Sequence, residues 1–155
     1  MIKSFTLIEL IIVMAIMLIL VAIGAPIYGN LQVKSQLNEN ASQLVQNLRI
    51  IKVRSVAGLN NSAHGVYFEI NPETNDQYIL YQGSSYASRD SSYDLVITLD
   101  QVLTITTSLT GQEVNFSQGL GVPDNTGEII LSHDTSGNKV ISINALGLIQ
   151  EQPSE

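Results

Sequence analysis

Residues 1–28 read MIKSFTLIELIIVMAIMLILVAIGAPIY, and the fold of the chain turns on how that stretch is understood. Lys3 is its single basic residue and Glu9 its single acid; the next charge is Lys34. From Leu10 to Tyr28 a helix would rise about 28 Å at ~1.5 Å per residue, close to the hydrocarbon thickness of a bilayer. A carboxylate inside such a segment costs on the order of 3 kcal/mol in lipid unless something pairs with it. Glu9 therefore calls for a partner, or else snorkels or stays protonated near the headgroups.

Three readings compete. A plain membrane anchor would use Lys3 as its cytoplasmic flank. A secretory signal would be cut after Ala22-Ile23-Gly24, although Pro26 is a poor neighbour for that cut. The third reading rests on the order of residues: FTLIELIIVMAIMLIL resembles the N-terminal signature of type IV pilins and type II secretion pseudopilins. That resemblance implies a prepilin peptidase cutting between Ser4 and Phe5, N-methylation of Phe5, and retention of the apolar helix. It implies that Glu9 pairs with the Phe5 amine of a neighbouring subunit, and that Pro26 marks a helix kink. Ser4 stands where the family mostly has Gly.

Length and charge bound the remainder. The chain has 155 residues, a formal net charge of −7 and no cysteine. Loss of the leader would remove Lys3 and give −8 (−7 − 1). An acidic chain argues against a nucleic-acid partner held by bulk charge. No disulfide or thiolate site is possible.

Beyond Pro26 the helix continues. Leu37, Ala41, Leu44, Leu48 and Ile51 recur at helical spacing, widened by Val33, Val45 and Val56, and present one face to a sheet. Gly58 is the expected stop, before Asn60-Asn61. Arg49, Lys52 and Arg54 read as solvated charges complementing the helix dipole.

After Gly58 the pattern becomes β-type. Gly65–Ile70 and Gln77–Tyr81 flank an Asn/Pro/Asp turn and read as a hairpin. The Ser-rich stretch 83–93, with Tyr86 and Tyr93, reads as an exposed loop. Leu95–Leu99, Val102–Ser108 and Val114–Phe116 are strand candidates. Glu128–Ser132 and Lys139–Asn144 form the clearest hairpin. Ala145–Ile149 reads as a bent edge strand with Gly147 at the bend, and Gln150–Glu155 as loose. The expected architecture is α+β: a long N-terminal helix, membrane-spanning in its first half, packed on an antiparallel β-sheet head. Its divisions are a leader (1–4), a membrane or filament-core helix (5–28), an amphipathic helix (29–58), a head (59–150) and a tail (151–155).

Little in the head suggests catalysis. His64 and His133 stand outside any metal-ligand spacing and read as surface or turn histidines. Asp124, Asn125 and Glu128 offer oxygens in a Gly-flanked loop, but turn chemistry explains them as well as calcium would. No metal, cofactor or enzymatic activity is expected. The closing ISINALG stretch is similar to the H-type (GspH) pseudopilin and FimT-like minor pilin family, with Leu148 where that family often has Arg. The resemblance implies a structural subunit, one of the minor kind, meeting a prepilin peptidase, other pilin subunits, an inner-membrane assembly platform and the bilayer, with its head outside the cytoplasm. A major pilin or pseudopilin is the alternative. A DNA-binding FimT-like role is disfavoured, because Lys139 is the only basic residue after Arg89.

Overall fold

The computed structural model describes residues 6–134 and 136–152; within the helix, the side chains of 23–30 are outside that description. The elements run in the order α1 (Leu7–Val56), β1 (His64–Glu69), β2 (Gln77–Gln82), β3 (Leu95–Thr98), β4 (Thr104–Thr107), β5 (Glu113–Phe116), β6 (Gly127–His133), β7 (Gly137–Ile143) and β8 (Ile149–Gln152). They fall into two compact units, Met1–Ser35 and Gln36–Glu155.

In the first unit the side chains of residues 7–22 are all exposed. Among the described residues no helix is long and apolar enough to cross a membrane. The expected kink at Pro26 falls among the side chains that lie outside the description.

The second unit is built on the C-terminal half of α1. Leu37, Ala41, Leu44, Leu48 and Ile51 are each 2% exposed or less, so the helical stripe read from the sequence is the buried face. Val45 joins it, while Val56 turns out to solvent at 46% exposure. The helix ends where expected: Gly58 takes the left-handed conformation (φ +62) and its N–H donates to Ser55 O at 3.0 Å.

The head holds two antiparallel sheets rather than one. Their strand orders are β3-β2-β1-β5 and β4-β6-β7-β8. Val66 pairs with Leu80 and Phe68 with Tyr78 in the first; Ile129 pairs with Ile141 in the second. These side chains and the α1 stripe share one core. Burying a Leu or Ile side chain contributes about 1.5–3 kcal/mol, so the stripe is a principal source of the head's stability.

Three segments differ from the sequence expectation. Val102 lies in a turn before β4, closed by Leu103 N donating to Asp100 O at 2.9 Å. The stretch 83–93 folds back onto the first sheet. Tyr86 stacks on Tyr67 with ring centroids 3.8 Å apart, and the Arg89 guanidinium lies 3.7 Å from the Tyr86 centroid. Arg89 is held in turn by Asp94 at 2.8 Å. The third is the C-terminus. Residues 144–148 form a turn, not a bent strand, because Asn144 Oδ1 accepts the N–H groups of Leu146 (3.0 Å) and Leu148 (2.9 Å). The chain then reverses, and Ile149–Gln152, read as mostly loose tail, pairs with β7 as β8.

Two buried polar groups were not singled out by pattern. Asp76 joins the sheets: its Oδ1 accepts Asn71 N–H at 2.9 Å and its Oδ2 accepts Ile105 N–H of β4 at 2.7 Å. His64 is buried at the start of β1, not on the surface, and its N–H donates to Ser55 Oγ at 2.9 Å. Burial, then the nearby charge of Arg54, hold the His64 imidazole below its ordinary pKa.

Two predictions follow from these groups. Asp76→Ala leaves the buried N–H of Ile105 and the part-buried N–H of Asn71 unpaired and is expected to cost about 2–4 kcal/mol in urea unfolding, with Asp76→Asn losing less. Because the folded protein holds the His64 pKa below its ordinary value, the unfolded chain binds more protons around pH ~6.5. Stability is expected to fall as pH drops through that value, and His64→Gln should flatten this part of the profile in unfolding measured between pH 5 and 8.

Candidate assembly site

Ser4 and Phe5, the residues of the expected cleavage, lie outside the described residues. Glu9 is described, and its carboxylate is tied to its own helix. Thr6 N–H donates to Glu9 Oε2 at 2.9 Å, Thr6 Oγ1 donates to the same oxygen at 2.8 Å, and Glu9 N–H donates to Thr6 Oγ1 at 3.3 Å. This is a reciprocal capping box, with Thr6 as the cap and Glu9 three residues on. It satisfies two otherwise orphaned N–H groups of the helix start. Among the described residues, Oε1 of Glu9 takes no hydrogen bond. The T-x-x-E spacing is legible in FTLIE; the resemblance gives Glu9 a partner in another chain, whereas its partner among the described residues is Thr6.

The second constellation sits at the other end of α1. Lys52 Nζ donates to Gly147 O at 2.8 Å and to Leu146 O at 3.3 Å. Arg49 Nη2 reaches Ile149 O at 3.4 Å. Lys52, read as solvated, is therefore a clamp on the 144–148 turn, and Arg49, which is exposed as expected, also reaches the start of β8. Their reach of about a hundred residues along the chain is invisible to a local reading. Gly147 has φ +68, and a Cβ there would lie 2.9 Å from Gly121 O and 3.0 Å from Lys52 Nζ. Its Gly identity is a packing requirement as well as a turn requirement.

The loop considered for calcium uses its polar groups internally. Asp124 Oδ1 accepts Asn115 N–H at 2.7 Å, and Asp124 N–H donates to Asn115 O at 2.9 Å. Asn125 Nδ2 donates to the carbonyls of Thr110 and Glu113, each at 3.1 Å. These bonds lash the loop to β5 and cover that edge of the first sheet. Nearby, Tyr81 OH donates to Glu113 Oε2 at 2.8 Å, and burial holds the phenol pKa well above its ordinary value.

Comparison with known proteins bears on both halves of the chain. The model of the prokaryotic N-terminal methylation motif matches residues 2–25, a span that includes Ser4, Phe5, Thr6 and Glu9. No curated protein matches the sequence. Among solved structures, two crystal forms of the Pseudomonas aeruginosa PAO1 type IV minor pilin FimU share the fold. The P65 form aligns with a TM-score of 0.57 at 16% identity, covering 77% of this chain and 97% of FimU. The P21 form aligns with a TM-score of 0.59 at 15% identity, covering 81% and 96%. The fold is that of a pilin, a helix packed on antiparallel sheets. The N-terminal motif and the fold are each similar to those of type IV pilins.

The clamp can be tested on its own. Gly147→Ala forces a side chain into a left-handed, crowded position and is expected to cost about 1–3 kcal/mol. Lys52→Met keeps the aliphatic stem and loses both carbonyl contacts. Amide hydrogen exchange should show faster opening of residues 144–152 in each variant, with the β1–β2 hairpin unchanged.

Proposed function

We propose that the chain is a structural subunit of a type IV pilus or type II secretion pseudopilus, of the minor kind. In this reading it waits in the inner membrane as a single-pass protein with its head outside the cytoplasm. A prepilin peptidase cuts between Ser4 and Phe5, Phe5 is N-methylated, and the assembly platform draws the helix of 5–28 into a filament. The supporting observation is the methylation motif over residues 2–25 on the apolar half of a helix whose other half carries a pilin-type head. The H-type (GspH) or FimT-like affiliation belongs to the same reading. The likeness to a minor pilin favours the minor over the major kind.

Glu9 has a specific part in it. Removal of residues 1–4 leaves Thr6 as the second residue, so the capping box survives processing. One carboxylate oxygen is then held by Thr6 and the other is open to the Phe5 amine of a neighbour. Two charges that are each costly in an apolar setting meet and offset that cost.

The assignment is tested by comparing Glu9→Gln and Glu9→Asp with the parent chain in its native host. Glu9→Gln is expected to insert in the membrane and be processed, yet to be lost from sheared filament fractions; Glu9→Asp should retain part of the incorporation. Normal incorporation of Glu9→Gln would contradict the pairing.

A further inference from the structure

The two ends of the head differ in chemistry. β1 starts at His64, bonded to Ser55 near the end of α1, and runs away to Glu69. β7 runs the other way and ends beside the 144–148 turn that Lys52 holds. One end of the head is therefore formed by the last turns of α1 with the loops 117–123 and 144–148. The opposite end is formed by the β1–β2 turn, residues 70–76, and the β3–β4 connection.

The α1 end is apolar where it need not be. Leu146 is 81% exposed, Leu120 78% and Val53 65%, with Leu148 and Val56 about half exposed. The two loops touch: Gly147 and Gly121 pack together over Lys52. The exposed leucines thus stand on neighbouring, braced backbone, edged by the positive charges of Arg49 and Lys52. Single exposed leucines are ordinary, but a contiguous group on braced loops marks an interaction surface.

The other end supplies the complement. Glu73 and Asp100 are exposed there and Glu69 is half-buried. Two grooves, of about 430 and about 390 Å³, flank the 70–76 turn; the larger is lined in part by Ile70, Pro72 and Leu103. The head thus has a basic end with exposed apolar side chains and an acidic, grooved one.

We infer that the apolar surface at the end of α1, centred on Leu146 and Leu120, docks a second copy of this chain through the acidic, grooved 70–76 end of that copy's head. The contact is heterologous, so it repeats head to tail and does not close on itself. Opposite charge fixes the direction, and the apolar group supplies the buried area. The inference stands on the head alone. Its test involves neither processing nor filament formation, so it and the filament reading can fail separately.

Every described buried side chain lies between Leu37 and Ile149, so residues 36–155 carry the whole core and serve for the test. The chain has no cysteine, so introduced thiols report without background. Heads carrying Leu146→Cys are mixed with heads carrying Thr74→Cys and oxidised at low salt. The mixed disulfide should dominate over both homodimers, and over a Leu146→Cys mixture with Ser84→Cys heads. Arg49→Glu on the first partner should lower its yield by about two- to fivefold, the range for an exposed ion pair, and Glu73→Arg on the second should restore it. Equal yields of all species, dominant homodimers, or no mixed disulfide above the Ser84 control would each overturn the inference. So would efficient self-linking of Val96→Cys heads, which would place the contact at the open edge of β3.

Discussion

Both sheets of the head are held by one face of one helix. The side chains from Leu37 to Ile51 fill the core between β1-β2-β5 and β6-β7-β8. Neither sheet could bury its apolar side alone, and short strands of four to seven residues are marginal without such packing. The helix therefore has two halves with two tasks. The half beyond Gln36 is consumed by the head. The apolar half before it is exposed over residues 7–22, and in the proposed reading it meets a bilayer or other helices.

That division gives Glu9 its meaning. An unpaired carboxylate among exposed Leu and Ile side chains is costly, and the capping box lowers the cost without abolishing the charge. Thr6 anchors Oε2 and fixes the carboxylate near the helix start, where the helix dipole also favours a negative charge. The motif thus combines local satisfaction with an acceptor still available to another chain.

Much of this was legible in the sequence. The 4-3-4-3 spacing from Leu37 to Ile51 marked the buried face, because helical periodicity is set by the backbone alone. Gly58 marked the stop, and the hairpins β1–β2 and β6–β7 followed from alternation around turn residues. What escaped were features fixed by contacts distant in sequence. Lys52 looked like a solvated charge because its carbonyl partners lie about a hundred residues away. Asp76 looked like a turn residue because its second N–H partner, Ile105, belongs to the other sheet. The 144–148 turn was hidden by strand-like composition, and only the capture of two N–H groups by Asn144 reveals the reversal that makes β8. At the N-terminus, Thr6–Glu9 is visible as spacing, but an acid near the start of an apolar helix suits both a local cap and a partner in another chain.

The most direct test of the account is the mass of the N-terminal peptide of the protein isolated from its native membrane. The account predicts a chain that begins at N-methylated Phe5, with the T-x-x-E box and the apolar helix retained. A chain beginning near Ala25 would mean a conventional secretory signal, removal of Glu9 with it, and no filament subunit.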